Sequence, residues 1–142
     1  MSRVYWDSML FIYLLEGNLV YAQKVKAILA EMQRRGDTLC TSVFTLGEVL
    51  TGPRKYGNPA DVNRTRQFFM NSGRVELLPF SATTSDKYSV IRAATAVASA
   101  DAIHLATASE FGTTLFVTHD KKLQKLTVPG IDFITGLDTK LL

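Results

Sequence analysis

Only one of the 142 residues is a cysteine, so no intrachain disulfide can form and a disulfide-stapled secreted fold is excluded. That residue, Cys40, sits in an apolar stretch and is expected to be a small core hydrophobe in a reducing compartment. Long hydrophobic runs are also missing. The longest, Met9 to Leu15, falls far short of the ~20 residues that cross a bilayer. The charges of Asp7 and Glu16 flank it closely, which argues against a signal peptide, and the cytoplasm is the expected location. No repeat, low-complexity tract or Pro/Gly-rich linker divides the chain. A Gly-rich phosphate loop is absent, which argues against nucleotide-binding folds. Asp7 is followed by Ser8 and Met9, so the Asp-x-Asp of aspartyl-phosphate enzymes is missing too. His104, His119 and Cys40 make no set at zinc spacing.

What remains is ordinary globular composition, 46% apolar and 20% charged, in a length suited to one domain spanning residues 1–142. The net charge is +3, from 16 basic and 13 acidic residues. Short apolar strands alternate with helical patterns, which predicts an α/β domain with a central, mostly parallel sheet of about five strands flanked by helices. Strands are expected near 3–6, 39–41, 75–78, 115–118 and 131–134. Ser8 is expected to cap a short apolar helix to Leu15, and residues 21–35 form an amphipathic helix ended by Gly36. Further helices are expected from Ser42 to Leu50, stopped by Gly52-Pro53, and from Asn58-Pro59 to Met70. Two more cover 81–95 and, capped by Ser99, the stretch to Phe111; a short one covers 121–126.

Four acids stand out by placement. Asp7 ends the first strand and Asp120 follows the fourth, where the carboxyl ends of parallel strands bind ligands. Asp101 falls in the first turn of a helix. Each Asp also has an ordinary use, in turns, as a cap, or at a positive helix end. Glu48 is harder to explain that way, because the residues three and four positions away are Phe44, Thr45, Thr51 and Gly52, none of them basic. Acids in apolar surroundings without basic partners require a compensating cation. Oxygen ligands of this kind suit Mg²⁺ or Mn²⁺. Were the four acids covered by metal, 9 acids would face 16 bases, leaving a surface of about +7 that attracts polyanions. Arg54, Lys55, Arg64 and Arg66, with Tyr56, Phe68 and Phe69 between them, could follow a single-stranded backbone, or form a solvated helix face over core aromatics. Lys121, Lys122 and Lys125 lie next to Asp120.

In four segments the sequence resembles the PIN domain, and within it the VapC-type toxins of bacterial toxin–antitoxin pairs. They are Val4-Tyr5-Trp6-Asp7-Ser8, the Glu48 helix from Thr41 to Leu50, Asp101-Ala-Ile-His-Leu-Ala-Thr-Ala108, and Thr118-His119-Asp120. The segments fall in family order across the whole chain, and Asp101 to Ala108 is the most specific. The resemblance implies a metal-dependent endoribonuclease using Mg²⁺ or Mn²⁺. It gives Asp7 and Asp101 as direct ligands of the principal metal. Glu48 and Asp120 would bind through water, complete a second metal site or position the nucleophile, with Ser8 and Thr118 as hydrogen-bonding supports. The expected partners are an RNA substrate, a small antitoxin and a second copy of the chain, docked through the first two helices; no membrane is involved. An RNA-maturation nuclease without an antitoxin and a non-catalytic RNA- or protein-binding module are the alternative readings.

Overall fold

In a computed structural model describing residues 2–142, every strand of the sheet runs parallel to its neighbours. The chain order is β1 (Arg3–Trp6), α1 (Ser8–Glu16), α2 (Ala22–Arg35), β2 (Thr38–Ser42), α3 (Val43–Lys55), α4 (Pro59–Met70) and β3 (Glu76–Leu78). Then follow α5 (Ala82–Ala94), α6 (Ser99–Glu110), β4 (Thr113–Val117), a 3₁₀ turn at Leu123–Lys125 and β5 (Ile131–Thr135). The spatial order is β3-β2-β1-β4-β5, so the first strand occupies the centre. Its register pairs Tyr5 with Cys40 on one side and with Phe116 on the other.

The central strands are buried along nearly their whole length because both faces of the sheet are covered. Val4, Trp6, Leu39, Leu115 and Val117 point to one face, where Leu10 and Phe11 of α1, Val25, Ile28 and Met32 of α2, Val49 of α3 and Phe69 of α4 meet them. Tyr5, Cys40 and Phe116 alternate to the other face, against Ile91 of α5 and Ala102, Leu105, Ala106 and Ala108 of α6. Burial at about 1.5–3 kcal/mol per large apolar side chain makes this two-sided core the main stabilising contribution. Cys40 is fully buried. Burial pushes its thiol up to about 12, so it is a core residue and no nucleophile. Among the described residues, no helix is long and apolar enough to cross a membrane.

Four local expectations are corrected. Asp7, not Ser8, is the N-cap of α1, with an extended backbone and its carboxylate accepting from Ser8 N. α3 does not stop at Gly52-Pro53 but carries Pro53 inside its last turn and runs to Lys55. Gly52 makes this possible: without a Cβ it avoids the usual conflict between a helical residue and a following proline ring. Ser99 does not cap α6. Ala98 occupies the cap position without a side-chain bond, while Ser99 Oγ lies 2.6 Å from Tyr88 Oη. The expected helix at 121–126 is only the 3₁₀ turn.

Candidate metal centre

Because the strands are parallel, all their carboxyl ends lie along one edge of the sheet, and the loops leaving β1 and β4 are neighbours there. Asp7 N donates to Val117 O at 3.0 Å, carrying the β1–β4 ladder one residue past the strand. Both oxygens of Asp7 are held: Oδ1 accepts from Ser8 N at 2.7 Å and Oδ2 from Thr118 Oγ1 at 2.8 Å. Thr118 is fully buried, so this hydroxyl fixes the carboxylate from below.

Glu48 reaches the same edge from the second turn of α3. The sequence gives it no basic neighbour on its own helix, but His104 of α6 supplies the missing donor. His104 Nε2 lies 2.6 Å from Glu48 Oε1, and Ser8 Oγ donates to the same oxygen. His104 Nδ1 is 2.7 Å from Tyr5 Oη, which in turn accepts from Ser42 N at 3.1 Å. Burial pushes the Tyr5 phenol far up, so it keeps its proton and donates to Nδ1. The imidazole hydrogen then belongs on Nε2, aimed at Glu48. Tyr5 and His104 are almost wholly buried. A relay from the β2 backbone through Tyr5 and His104 thus sets the Glu48 carboxylate, and Oε2 has no protein partner among the described residues. Burial raises the pKa of Glu48, but the His104 and Ser8 hydrogen bonds outweigh it, and the carboxyl ends below its usual range. The sequence reads His104 as a helix-face hydrogen-bonder, and the structure supplies its partners, Tyr5 and Glu48. Its presence inside the Asp101 to Ala108 segment, one helical turn beyond Asp101, was the available signal.

Asp101 and Asp120 have a different setting. They line one side of a cavity of about 370 Å³, bounded also by Val97, Lys122, Leu123 and Leu126. The Asp101 carboxylate accepts no hydrogen bond among the described residues. Burial raises its pKa first, and the negative charges of Asp7, Asp120 and Glu48 raise it further, against a smaller opposing effect of His104. Asp101 therefore sits in a field made by the other three acids. Asp120 Oδ1 accepts only from Lys122 N, at 2.8 Å, and Asp120 N donates to Thr118 Oγ1 at 3.1 Å. One hydroxyl, Thr118, thus ties together the Asp7 and Asp120 ends of the site.

Among the described residues, no three acidic, histidine or cysteine side chains stand as a ready-made metal cage. Like charges without a cation between them favour such separation. The donor set nevertheless fits a hard divalent cation: carboxylate oxygens only, and a carboxyl whose ionisation the other three oppose.

The basic stretch is a solvated face. Phe69 is 3% exposed and belongs to the core, and Arg64 pairs with Asp61 at 2.8 Å. Of the stretch's three aromatic side chains, Tyr56 is the one exposed to solvent, at 88%.

The chain is similar in fold to solved VapBC2 of Rickettsia felis bound to a promoter DNA fragment (TM-score 0.75, 16% identity, 94% of this chain and 98% of that one). It is also similar to a toxin–antitoxin complex of Klebsiella pneumoniae (0.67, 23%, 90% and 94%). A third similar structure is VapC20 of Mycobacterium tuberculosis, a toxin cleaving the sarcin–ricin loop (0.64, 15%, 80% and 86%). No curated protein matches the chain. The PIN domain family matches residues 4–128, which takes in all four acids and the whole sheet apart from β5, and the chain belongs to the PIN domain family.

Proposed function

We propose that this PIN domain is a Mg²⁺- or Mn²⁺-dependent endoribonuclease and the toxin of a toxin–antitoxin pair, with Asp7, Glu48, Asp101 and Asp120 as its metal-binding carboxylates. The observation that carries the reading is the gathering of four acids, from the β1–α1 junction, α3, α6 and the loop after β4, at one sheet edge, where burial first and then the other three charges oppose ionisation of Asp101. The likeness to toxins solved as antitoxin complexes supports the biological setting.

Asp7 and Asp101 are the direct ligands in this reading. A bound divalent ion would activate water and neutralise the phosphodiester as charge develops on it. The chain's own residues prepare for that. Thr118 and Ser8 N hold Asp7 against rotation, and the Tyr5–His104 relay turns Glu48 so that Oε2 is presented. Lys122, on the wall of the cavity that holds Asp101 and Asp120, adds positive charge beside the phosphate. An antitoxin with a basic side chain would compete with the cation for the same acids. Dimerisation would use the α1–α2 region, where Leu19 is 98% and Val20 68% exposed.

The test is expression with and without the candidate antitoxin, followed by mapping of new RNA 5′ ends. Discrete antitoxin-suppressed cleavage, abolished in the Asp101→Asn protein, is expected. Cleavage undiminished in Asp7→Asn and Asp101→Asn proteins that remain folded would sink the assignment.

A further inference from the structure

The loop that carries Asp120 has two sides. Asp120 and Lys122 line the cavity next to Asp101, whereas His119 and Lys121 line a second cavity of about 250 Å³ on the other flank. Tyr21, Lys24, Gln124, Gly136 and Asp138 are among its other lining residues. It lies along the same carboxyl edge of the sheet, since Gly136 follows the last residue of β5 and His119 comes two residues after the end of β4. Adjacent Cα atoms are about 3.8 Å apart, so the two cavities are separated by little more than the loop itself.

The second cavity is built, not incidental. The His119 ring is fixed: Tyr13 Oη lies 2.8 Å from Nδ1, and the Tyr21 ring stands at 67° to it with centroids 4.4 Å apart. Its Nε2 has no partner among the described residues. Gln124 is fixed as well, with Nε2 donating to Thr118 O at 3.1 Å. Of the two lysines, Lys24 is committed to Asp138 at 2.8 Å, while Lys121 has no ion pair among the described residues. Aromatic edges, an unsatisfied ring nitrogen and one unpaired ammonium suit a nucleotide, because bases stack on rings and phosphates seek ammonium groups. The cavity is too small to take a helix, about 10 Å across with its side chains.

We propose that this cavity seats the nucleotide adjoining the cleaved phosphodiester of single-stranded RNA, with Lys121 on its phosphate and Tyr21 and His119 beside its base. The RNA then crosses the loop at Asp120, with its scissile phosphate on the acidic flank and its neighbour on the aromatic flank. This rests on the nuclease reading above and adds a specificity-determining subsite to it.

The experiment uses the whole protein with Mn²⁺ and a randomised-sequence single-stranded RNA pool. It compares unaltered protein with Lys121→Gln, Tyr21→Leu and, as a charge control just before β3 at the opposite edge of the sheet, Arg74→Gln. For Lys121→Gln, KM is expected to rise several-fold with kcat unchanged, and the log–log salt dependence to become shallower by about 0.7. For Tyr21→Leu, KM should rise about tenfold, and the base preference next to the cut should relax in the sequenced products. Arg74→Gln should change neither. RNA cleavage by the unaltered protein that neither cavity variant alters overturns the subsite alone. Loss of antitoxin binding without any change in RNA kinetics also overturns it, by assigning the cavity to a protein. Absence of metal-dependent cleavage in the unaltered protein overturns the nuclease reading and the subsite with it.

Discussion

The two halves of the acidic edge are built on opposite principles. Asp7 and Glu48 are braced: every oxygen but Glu48 Oε2 accepts a hydrogen bond, and the donors are themselves held by the core. Asp101 is unbraced, and the Asp120 carboxylate accepts only from the backbone of its own loop. The braced pair therefore lies in a defined orientation before any cation arrives, while Asp101 bears the electrostatic cost of sharing space with three like charges. A site so divided combines preorganisation with a latent drive to bind metal. In the proposed metal site, one half would fix where the cation goes, and the other would supply the reason to bind it.

The largest effect should come from removing a ligand in either half. Asp7→Asn and Asp101→Asn should each lower Mn²⁺-dependent RNA cleavage by more than ~100-fold, since even residues that only support ligands change activity by about 10–100-fold. In metal-free buffer the halves should then diverge. Asp101→Asn relieves repulsion and should raise the melting temperature at neutral pH. Asp7→Ala removes an N-cap worth about 1 kcal/mol and should lower it by about 3 °C. Melting curves in a chelator that move the same way for both variants would break the comparison.

Next comes the brace itself. His104→Ala should weaken Mn²⁺ binding, read as the shift in melting temperature on titration with the metal, by about 10–100-fold. It should also destabilise the metal-free protein by about 1–3 kcal/mol, because the buried Tyr5 hydroxyl loses its acceptor. Tyr5→Phe should reproduce a weaker version of the metal effect. An unchanged metal titration in both would show that Glu48 needs no orienting relay.

The pH dependence separates the halves by sign. Glu48 is lowered from 4.5, so its contribution is present above that value and is lost as pH falls through the folded-state pKa. Asp101 is raised from 3.8, so its contribution is present below that value and is lost as pH rises through the folded-state pKa. In chelator, Glu48→Gln should therefore cost stability above pH 4.5 and little below the folded-state pKa of Glu48. Asp101→Asn should gain stability above the folded-state pKa of Asp101 and change little well below 3.8. Parallel profiles would be the contrary result. The smallest effect is expected at Thr118→Val, about tenfold in activity, because Asp7 keeps its bond from Ser8 N.

Particular residues show why some of this was legible in the sequence and some not. The parallel sheet announced itself through short strands alternating with helical patterns, and the acids were read at its edge from the positions of Asp7 and Asp120 relative to strand ends. The caps were less visible. Asp7 and Ser8 are both good N-cap residues, and only the β1–β4 ladder, which extends one residue past Trp6, decides for Asp7. At α6 the Tyr88 hydroxyl draws Ser99 away from the cap, a contact from another helix that local pattern cannot reveal. Glu48 has no basic partner on its own helix, and its donor His104 comes from 56 residues away. Long-range partners of this kind carry no periodic signal.

The central position of β1 has a consequence for synthesis. The first strand made is the middle one of the sheet, and one of its two partners, β4, follows it by more than 100 residues. While the nascent chain emerges at roughly 5–20 residues per second, Asp7 has no Thr118 beside it, Glu48 has no His104, and no acidic pocket exists. The four carboxylates come together only when the late strand inserts beside the first. A chain arrested or cut short before β4 thus lacks Thr118 and Asp120 and cannot assemble this acidic edge.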